Sequence, residues 1–190
     1  MLKEIAVETA QRLREEHEQM RRLLRVLARE AAALEPSEKV DPGLMYDVLR
    51  YLIEYPGRYH HPIENLALWR LVQRGRVARP LADQLDLEHR SMRHYGGQLL
   101  RLLEGARGDI LVPSPWIAMA AHQYASAVRA HMAHEEQALL PLVEQQLTQG
   151  DWEEIARASM PAEDSRHSED VDSQFRRLYA SIAERANADA

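Results

Sequence analysis

The chain has 190 residues, 45% of them hydrophobic and 28% charged, which suits one well-buried core in an ordinary globular protein. A formal net charge of −6, with Arg and Glu mixed along the same segments, leaves no concentrated positive face, so no nucleic-acid partner is expected. Cysteine is absent, which removes disulfides, thiolate nucleophiles, iron–sulfur clusters and cysteine-based zinc sites; no apolar run of about 18 residues suggests a membrane span, and a cytoplasmic protein is the expectation.

In chain order, small or apolar residues recur at Ala10, Leu13, Met20, Leu24, Leu27, Ala31 and Leu34, the spacing of a helix with one buried face, and His17 fills the gap in that stripe. Pro36 and the stretch from Ser37 to Gly43 read as a loop. Met45, Val48, Leu52, Tyr55 and Tyr59 then open a second helix that ends near Arg74 and Gly75, with Pro56 and Pro62 predicted to kink it. A third helix, from about Pro80 to Glu104, turns Leu85, Met92, Leu99 and Leu103 inward, and His89 shares their stripe. The fourth, from about Pro115 to Gln149, aligns Ile117, Ala121, Tyr124, Val128, His131, Glu135, Ala138 and Leu142; Gly150 reads as the glycine just past its end and Asp151 as the next N-cap. One short helix and one polar helix complete the chain. The expected fold is all-α: an antiparallel up-down four-helix bundle over residues 1–150, with a C-terminal helical extension, 151–190, packed on the same domain.

The chain also repeats itself. Glu16-His17-Glu18-Gln19-Met20-Arg21 on the first helix matches Glu88-His89-Arg90-Ser91-Met92-Arg93 on the third, both reading E-H-x-x-M-R. His60 and Glu64, four apart on the second helix, match His131 and Glu135 on the fourth. The separations from the preceding E-H histidine nearly coincide, which implies two helix-hairpin halves, each giving one lone His and one H-x-x-x-E pair to a shared centre.

Residues four apart on a helix have Cβ atoms roughly 5–6 Å apart, so each H-x-x-x-E pair can reach one ion. Ionised carboxylates in the middle of a bundle would be costly unless something compensates them, and a cation does so. Four imidazoles and two carboxylates without thiolate favour iron, with manganese or zinc as competitors, and six protein ligands leave positions open for a small exogenous ligand. A single histidine in an apolar stripe is more often a hydrogen-bonded core residue, and a single H-x-x-x-E is common as a surface pair; two of each in matched register carry the metal reading. His61 sits beside the stripe as a ligand, a donor to a ligand, or an exposed residue. His94, five residues after His89 and about 140° around the helix from it, is poorly placed to share a metal unless Gly96-Gly97 distorts the turn. His122 and His134 are expected at the surface or behind a ligand, and His167 exposed. Arg21 and Arg93 are either solvated or paired with acids behind the ligands, and Met20 and Met92 fill the core.

Over roughly residues 8 to 150 the chain resembles the hemerythrin-like, or HHE cation-binding, domain family. The resemblance is carried by Tyr55-Pro56-Gly57-Arg58-Tyr59-His60-His61-Pro62-Ile63-Glu64, by Glu88-His89, by His131-Met132-Ala133-His134-Glu135-Glu136 with Leu139-Leu140-Pro141, and by Asp151-Trp152. It implies His17, His60, Glu64, His89, His131 and Glu135 as ligands of two non-haem irons, the same six that periodicity selects. Oxygen-carrying hemerythrins have a second histidine where this chain has Arg93, and end in H-x-x-x-x-D where it has His131-x-x-x-Glu135, which argues against reversible oxygen carriage. The two-glutamate pattern is similar to family members linked to nitric oxide response, iron-centre repair or iron sensing. The function expected is a di-iron protein, monomer or homodimer, that binds or senses O2, NO or peroxide, or handles iron, without turnover of an organic substrate. The alternatives are a di-iron enzyme acting on peroxide or nitric oxide or as a ferroxidase and, last, a metal-free interaction bundle. A ferritin-like oxidase fits less well, because none of the nine histidines has Glu three residues before it.

Overall fold

The structure, a computed structural model, describes residues 2–34, 42–77, 79–108, 111–159 and 166–188, with side chains from residue 9 onward except at 156, 158, 159, 166–172, 187 and 188. The described residues form helices and no strand: α1 (Leu2–Ala33), α2 (Pro42–Tyr55), α3 (His61–Gln73), α4 (Arg79–Arg107), α5 (Ser114–His134), α6 (Leu140–Gln146), α7 (Gln149–Ser159) and α8 (Arg166–Ala188). α1 packs on α2 and α5, and α4 packs on the same two helices, so the four close into a ring, with α7 against α3 and α8 against α2. The predicted loop from Ser37 falls, up to residue 41, outside the described residues.

Two π turns, Pro56–His60 and Glu135–Leu139, join α2 to α3 and α5 to α6 without breaking the coil. Their cause is local. The His61 N–H bonds the Pro56 carbonyl and the Leu140 N–H bonds that of Glu135, each five residues back, and each donor is followed by a proline, Pro62 or Pro141. A proline ring collides with the carbonyl four residues earlier in a regular helix, and widening the preceding turn relieves the collision. The kink expected at Pro56 and Pro62 is therefore a wide turn, and Pro141 produces a second one.

The core has two apolar clusters. One holds Met20, Leu24, Leu52, Met92, Val128 and Met132 with Phe175 and Ile182 of α8; the other holds Leu13, Ile63, Leu85, Leu139 and Val143 with Trp152 and Ile155 of α7. The chain passes between them at Leu13–His17–Met20, Leu52–His60–Ile63, Leu85–His89–Met92 and Met132–Glu135–Leu139, so one polar layer separates them. The order of the clusters reverses at each passage.

The helix ends follow from capping. Gly75, at φ 62°, ends α3 as predicted: its N–H bonds the Val72 carbonyl and the Arg76 N–H bonds that of Leu71, the paired bonds of a Schellman motif. The end of the fourth segment differs from expectation. α6 stops at Gln146, Leu147 is extended, and Gly150 lies inside α7. Thr148 directly precedes α7, and Asp151 reaches back to accept its N–H at 2.8 Å and its hydroxyl at 2.7 Å, which satisfies a backbone donor at the start of the helix.

Candidate metal centre

Six buried side chains form the polar layer: His17 from α1, His60 from the first π turn, Glu64 from α3, His89 from α4, His131 from α5 and Glu135 from the second π turn. With His61 they make two overlapping groups, His17, His60, Glu64 and Glu135, and His61, Glu64, His89 and His131; within each, one nitrogen or oxygen per residue lies within 4.8 Å of the others. Glu64 belongs to both. Glu135 also spans them, with one oxygen 3.2 Å from His131 Nε2 and the other 3.4 Å from His17 Nε2.

Three imidazoles are held from behind by carboxylates. His17 Nδ1 lies 2.8 Å from Glu136, His60 Nδ1 2.6 Å from Glu16 and His131 Nδ1 3.0 Å from Glu88. A carboxylate accepts, so a hydrogen sits on Nδ1 and Nε2 of each ring faces inward. Arg21 fixes Glu136 at 2.6 Å, the Tyr55 hydroxyl donates to Glu16 at 3.3 Å, and His134 meets the other oxygen of Glu88 at 2.9 Å.

The inward atoms other than His17 Nε2 and His60 Nε2 lack aligned hydrogen bonds. His17 Nε2 and His60 Nε2 are 3.0 Å apart, two lone pairs facing each other unless one is protonated. His60 Nε2 comes within 2.8 Å of Glu64 Oε1, yet neither oxygen of Glu64 has an aligned hydrogen bond; the two atoms point at a common space rather than at each other. Of the eight buried side-chain polar atoms without a hydrogen bond among the described residues, only Arg70 Nε and Trp152 Nε1 lie elsewhere; the other six are both oxygens of Glu64, both of Glu135, and Nε2 of His89 and His131. Buried unsatisfied atoms are individually expensive, and six converging on one place match the donor set of a hard or borderline cation.

Protonation follows the same geometry. Burial opposes charge on His60, but Glu64, Glu16 and Glu135 outweigh it and raise its pKa to about 10; for His131, burial is outweighed by Glu135 and Glu88, which raise it to about 9. Burial and the charge of Glu135 push Glu64 up to about 7, whereas Glu135, although buried, is held well below the usual range by His131 and His17. Burial lowers His61 to about 2, helped by His89 and His60, and lowers His89 to about 4, helped by His131. Protons on His60 and His131 thus stand where a cation would, while His61 and His89 offer neutral nitrogens.

A cavity of about 290 Å³ reaches this layer between α2, α3, α4 and α5, past Ile53, His61, Asn65, Met92, Arg93 and Val128. All six residues selected by sequence periodicity are in the polar layer. His61, left open by the sequence, joins the second group: it is half-buried, and its ring lies 4.3 Å from that of His89. Glu16, Glu88 and Glu136 went unassigned, although the first two stand in the E-H repeat. Arg21 pairs with acids, while Arg93 is exposed on the cavity. α4 runs through Gly96 and Gly97 unbroken, and His94 is exposed, bonded to Gln98 at 3.0 Å. His122 is exposed; the side chain of His167 lies outside those described. Met20 and Met92 are core residues that also line the cavity.

Overlapping buried His/Glu groups in an all-helical protein define a metal-binding helical domain. The chain belongs to the hemerythrin HHE cation-binding domain family, whose family model matches residues 9–143. No curated protein and no solved structure shows significant similarity. Among the described residues no helix is long and apolar enough to cross a membrane.

Proposed function

We propose that this is a non-haem di-iron protein on an up-down four-helix bundle, binding or sensing O2, NO or peroxide. His17 and His60 would hold one ion and His61, His89 and His131 the other, with the Glu64 and Glu135 carboxylates within reach of both groups. The carrying observation is the convergence of six unpartnered buried atoms on one layer. The alternating order in which the helices cross the two apolar clusters supports the up-down arrangement.

Iron, when bound, supplies open positions and electrons for a small ligand. The protein's part is orientation and exclusion. Glu16, Glu88 and Glu136 lock three imidazoles with Nε2 inward. Met20, Met92, Val128 and Met132 give the ligand space an apolar wall, and about 290 Å³ is ample for a diatomic molecule or peroxide. A second reading, turnover of peroxide rather than binding alone, is favoured by the Tyr55 hydroxyl on Glu16, a proton and electron source behind a ligand.

Elemental analysis and visible absorption of protein from iron-supplemented cells test the proposal, with Glu64→Ala and Glu135→Ala beside the parent. About two irons per chain with oxo-bridge absorption, lost in both variants, is the expected result. A single zinc or iron that survives either substitution would overturn the bridged pair.

A further inference from the structure

Three of the seven tyrosines, Tyr51, Tyr55 and Tyr59, pack around Phe175, the only phenylalanine, and a fourth, Tyr179, joins them through Tyr51. Tyr51 and Tyr55 stack with ring centres 5.1 Å apart and planes 12° from parallel. Tyr59 lies 5.3 Å from Tyr55, and Tyr179 of α8 lies 5.6 Å from Tyr51. The cluster has an inner and an outer end. Inside, the Tyr55 hydroxyl donates to Glu16, whose other oxygen accepts from His60 Nδ1 at 2.6 Å. Outside, Tyr179 is half-buried and its hydroxyl accepts from Arg22 at 3.4 Å.

We propose that Tyr55, Tyr51 and Tyr179 form a path for single electrons between the metal pair and the protein surface at α8. The proposal rests on the di-iron reading and adds a role for the C-terminal helix. Packing alone accounts for the rings but not for this hydroxyl, since phenylalanine at 55 would fill the same space. The second half of the repeat offers no such phenol: the spare oxygen of Glu88 meets His134 instead.

The step balances with hydrogen peroxide as oxidant. Reduction of one hydrogen peroxide to two waters would break its O–O bond and take two electrons and two protons. Tyr55 would supply the electrons one at a time, each while its phenolic proton passes along the hydrogen bond to Glu16 to leave a neutral phenoxyl radical, so that two successive passages serve each peroxide. Burial and Glu16 hold this phenol protonated, so the electron has to leave with a proton, and the acceptor is 3.3 Å away. An electron from a small enediol reductant such as ascorbate then arrives through the Tyr179 and Tyr51 rings. The proton returns from Glu16 to Tyr55.

Full-length protein loaded with ferrous iron, mixed with hydrogen peroxide and freeze-quenched, tests this by electron paramagnetic resonance, with ring-deuterated tyrosine to identify the radical. A tyrosyl signal is expected in the parent and at least a tenfold loss of it in Tyr55→Phe, at unchanged iron content and visible spectrum. Tyr179→Phe is expected to keep the radical yield but slow its decay with ascorbate about tenfold. An undiminished signal in Tyr55→Phe, no tyrosyl radical in an iron-loaded parent that consumes peroxide, or unchanged decay in Tyr179→Phe overturns the path. A chain that binds no iron overturns the metal reading as well, and metal analysis reveals that before peroxide is added.

Discussion

His60 gives its Nδ1 hydrogen to Glu16 in the first half of the repeat, and His131 gives its own to Glu88 in the second, but the surroundings then diverge. Beside His60 stands a second imidazole, His61; beside His131 stands Met132. After Glu135 comes Glu136, which holds His17; after Glu64 comes Asn65, and among the described residues no carboxylate is seen to hold His89. Arg21 anchors Glu136, while its counterpart Arg93 is exposed on the cavity. A duplicated ligand set thus yields two unlike positions. Both positions line the cavity, but the His17–His60 position is the more closed, its two rings buried and braced by carboxylates, whereas the His61–His89–His131 position is richer in imidazole and the more open, with His61 half-buried. On the di-iron proposal, the first position is expected to bind its ion more tightly and the second to exchange ligands more readily.

The bridging glutamates give the largest expected effect. Either Glu64→Ala or Glu135→Ala should abolish binding of both ions, because each carboxylate approaches ligands of both positions. Retention of one ion in one variant, read by elemental analysis, would show that the halves bind separately. Next is His61→Met, which writes the second half's residue into the first. It should weaken binding at the more open position on the order of 10- to 100-fold and leave the other ion in place, as a competitive chelator titration would show. Glu136→Gln reverses the contrast: it should weaken the closed position by a similar factor, on the order of tenfold or more, and spare the open one. Equal effects at both positions in either variant would erase the distinction drawn here.

Protons sharpen the same contrast. In the metal-free protein His60 and His131 titrate at about 10 and about 9, raised above an unfolded value near 6.5. Their contribution to stability is therefore full below about 6.5 and is lost as pH rises through 9 to 10. Glu64, an acid with its pKa raised to about 7, works in the same direction, since its ionisation between the unfolded value and 7 disfavours the fold. Urea melts of chelator-treated protein should thus show lower stability at pH 9.5 than at pH 6, and bound metal should close the gap while releasing protons, measurable by calorimetry in buffers of different ionisation enthalpy. His61 and His89, lowered to about 2 and about 4, are already neutral in the folded state and release no protons to a metal; their opposing cost to stability, present below an unfolded value near 6.5, has faded by pH 9.5.

Much of this was legible in the residues, for identifiable reasons. The stripes of α1, α4 and α5 follow the 3.6-residue period, so His17, His89, His131 and Glu135 fall inward by counting. His61 escaped because a regular helix turns adjacent residues about 100° apart, whereas the widened turn ahead of Pro62 lets His60 and His61 both face the centre. Glu136 escaped because it acts across the bundle on a histidine 119 residues away, a pairing that no local pattern encodes. The aromatic cluster is similar: Tyr51, Tyr55 and Tyr59 show helical spacing, but Phe175 and Tyr179 join them only through the docking of α8.

The two halves also end differently, and that gives the smallest effect. α3 ends on Gly75 in a Schellman motif, whereas α6 gives way to the Thr148–Asp151 pair at the start of α7. Asp151 ties the two ends together: it accepts from the Thr148 N–H at 2.8 Å and hydroxyl at 2.7 Å, and from Arg74, at the end of the first half, at 3.0 Å. Asp151→Asn keeps the shape and part of the hydrogen bonding but loses the charge, so it should cost about 1–2 kcal/mol in urea unfolding and leave metal content unchanged. The acid dependence has the opposite sign to that of His60. Thr148 and Arg74 outweigh burial and hold Asp151 below its ordinary value of 3.8, so its contribution is present above 3.8 and is lost as pH falls through the lowered value. The gap between parent and Asp151→Asn should accordingly shrink at low pH. If the variant instead lost iron at neutral pH, the ends of the halves would be coupled to the metal layer, and the contrast between the two positions could not be read from their immediate neighbours alone.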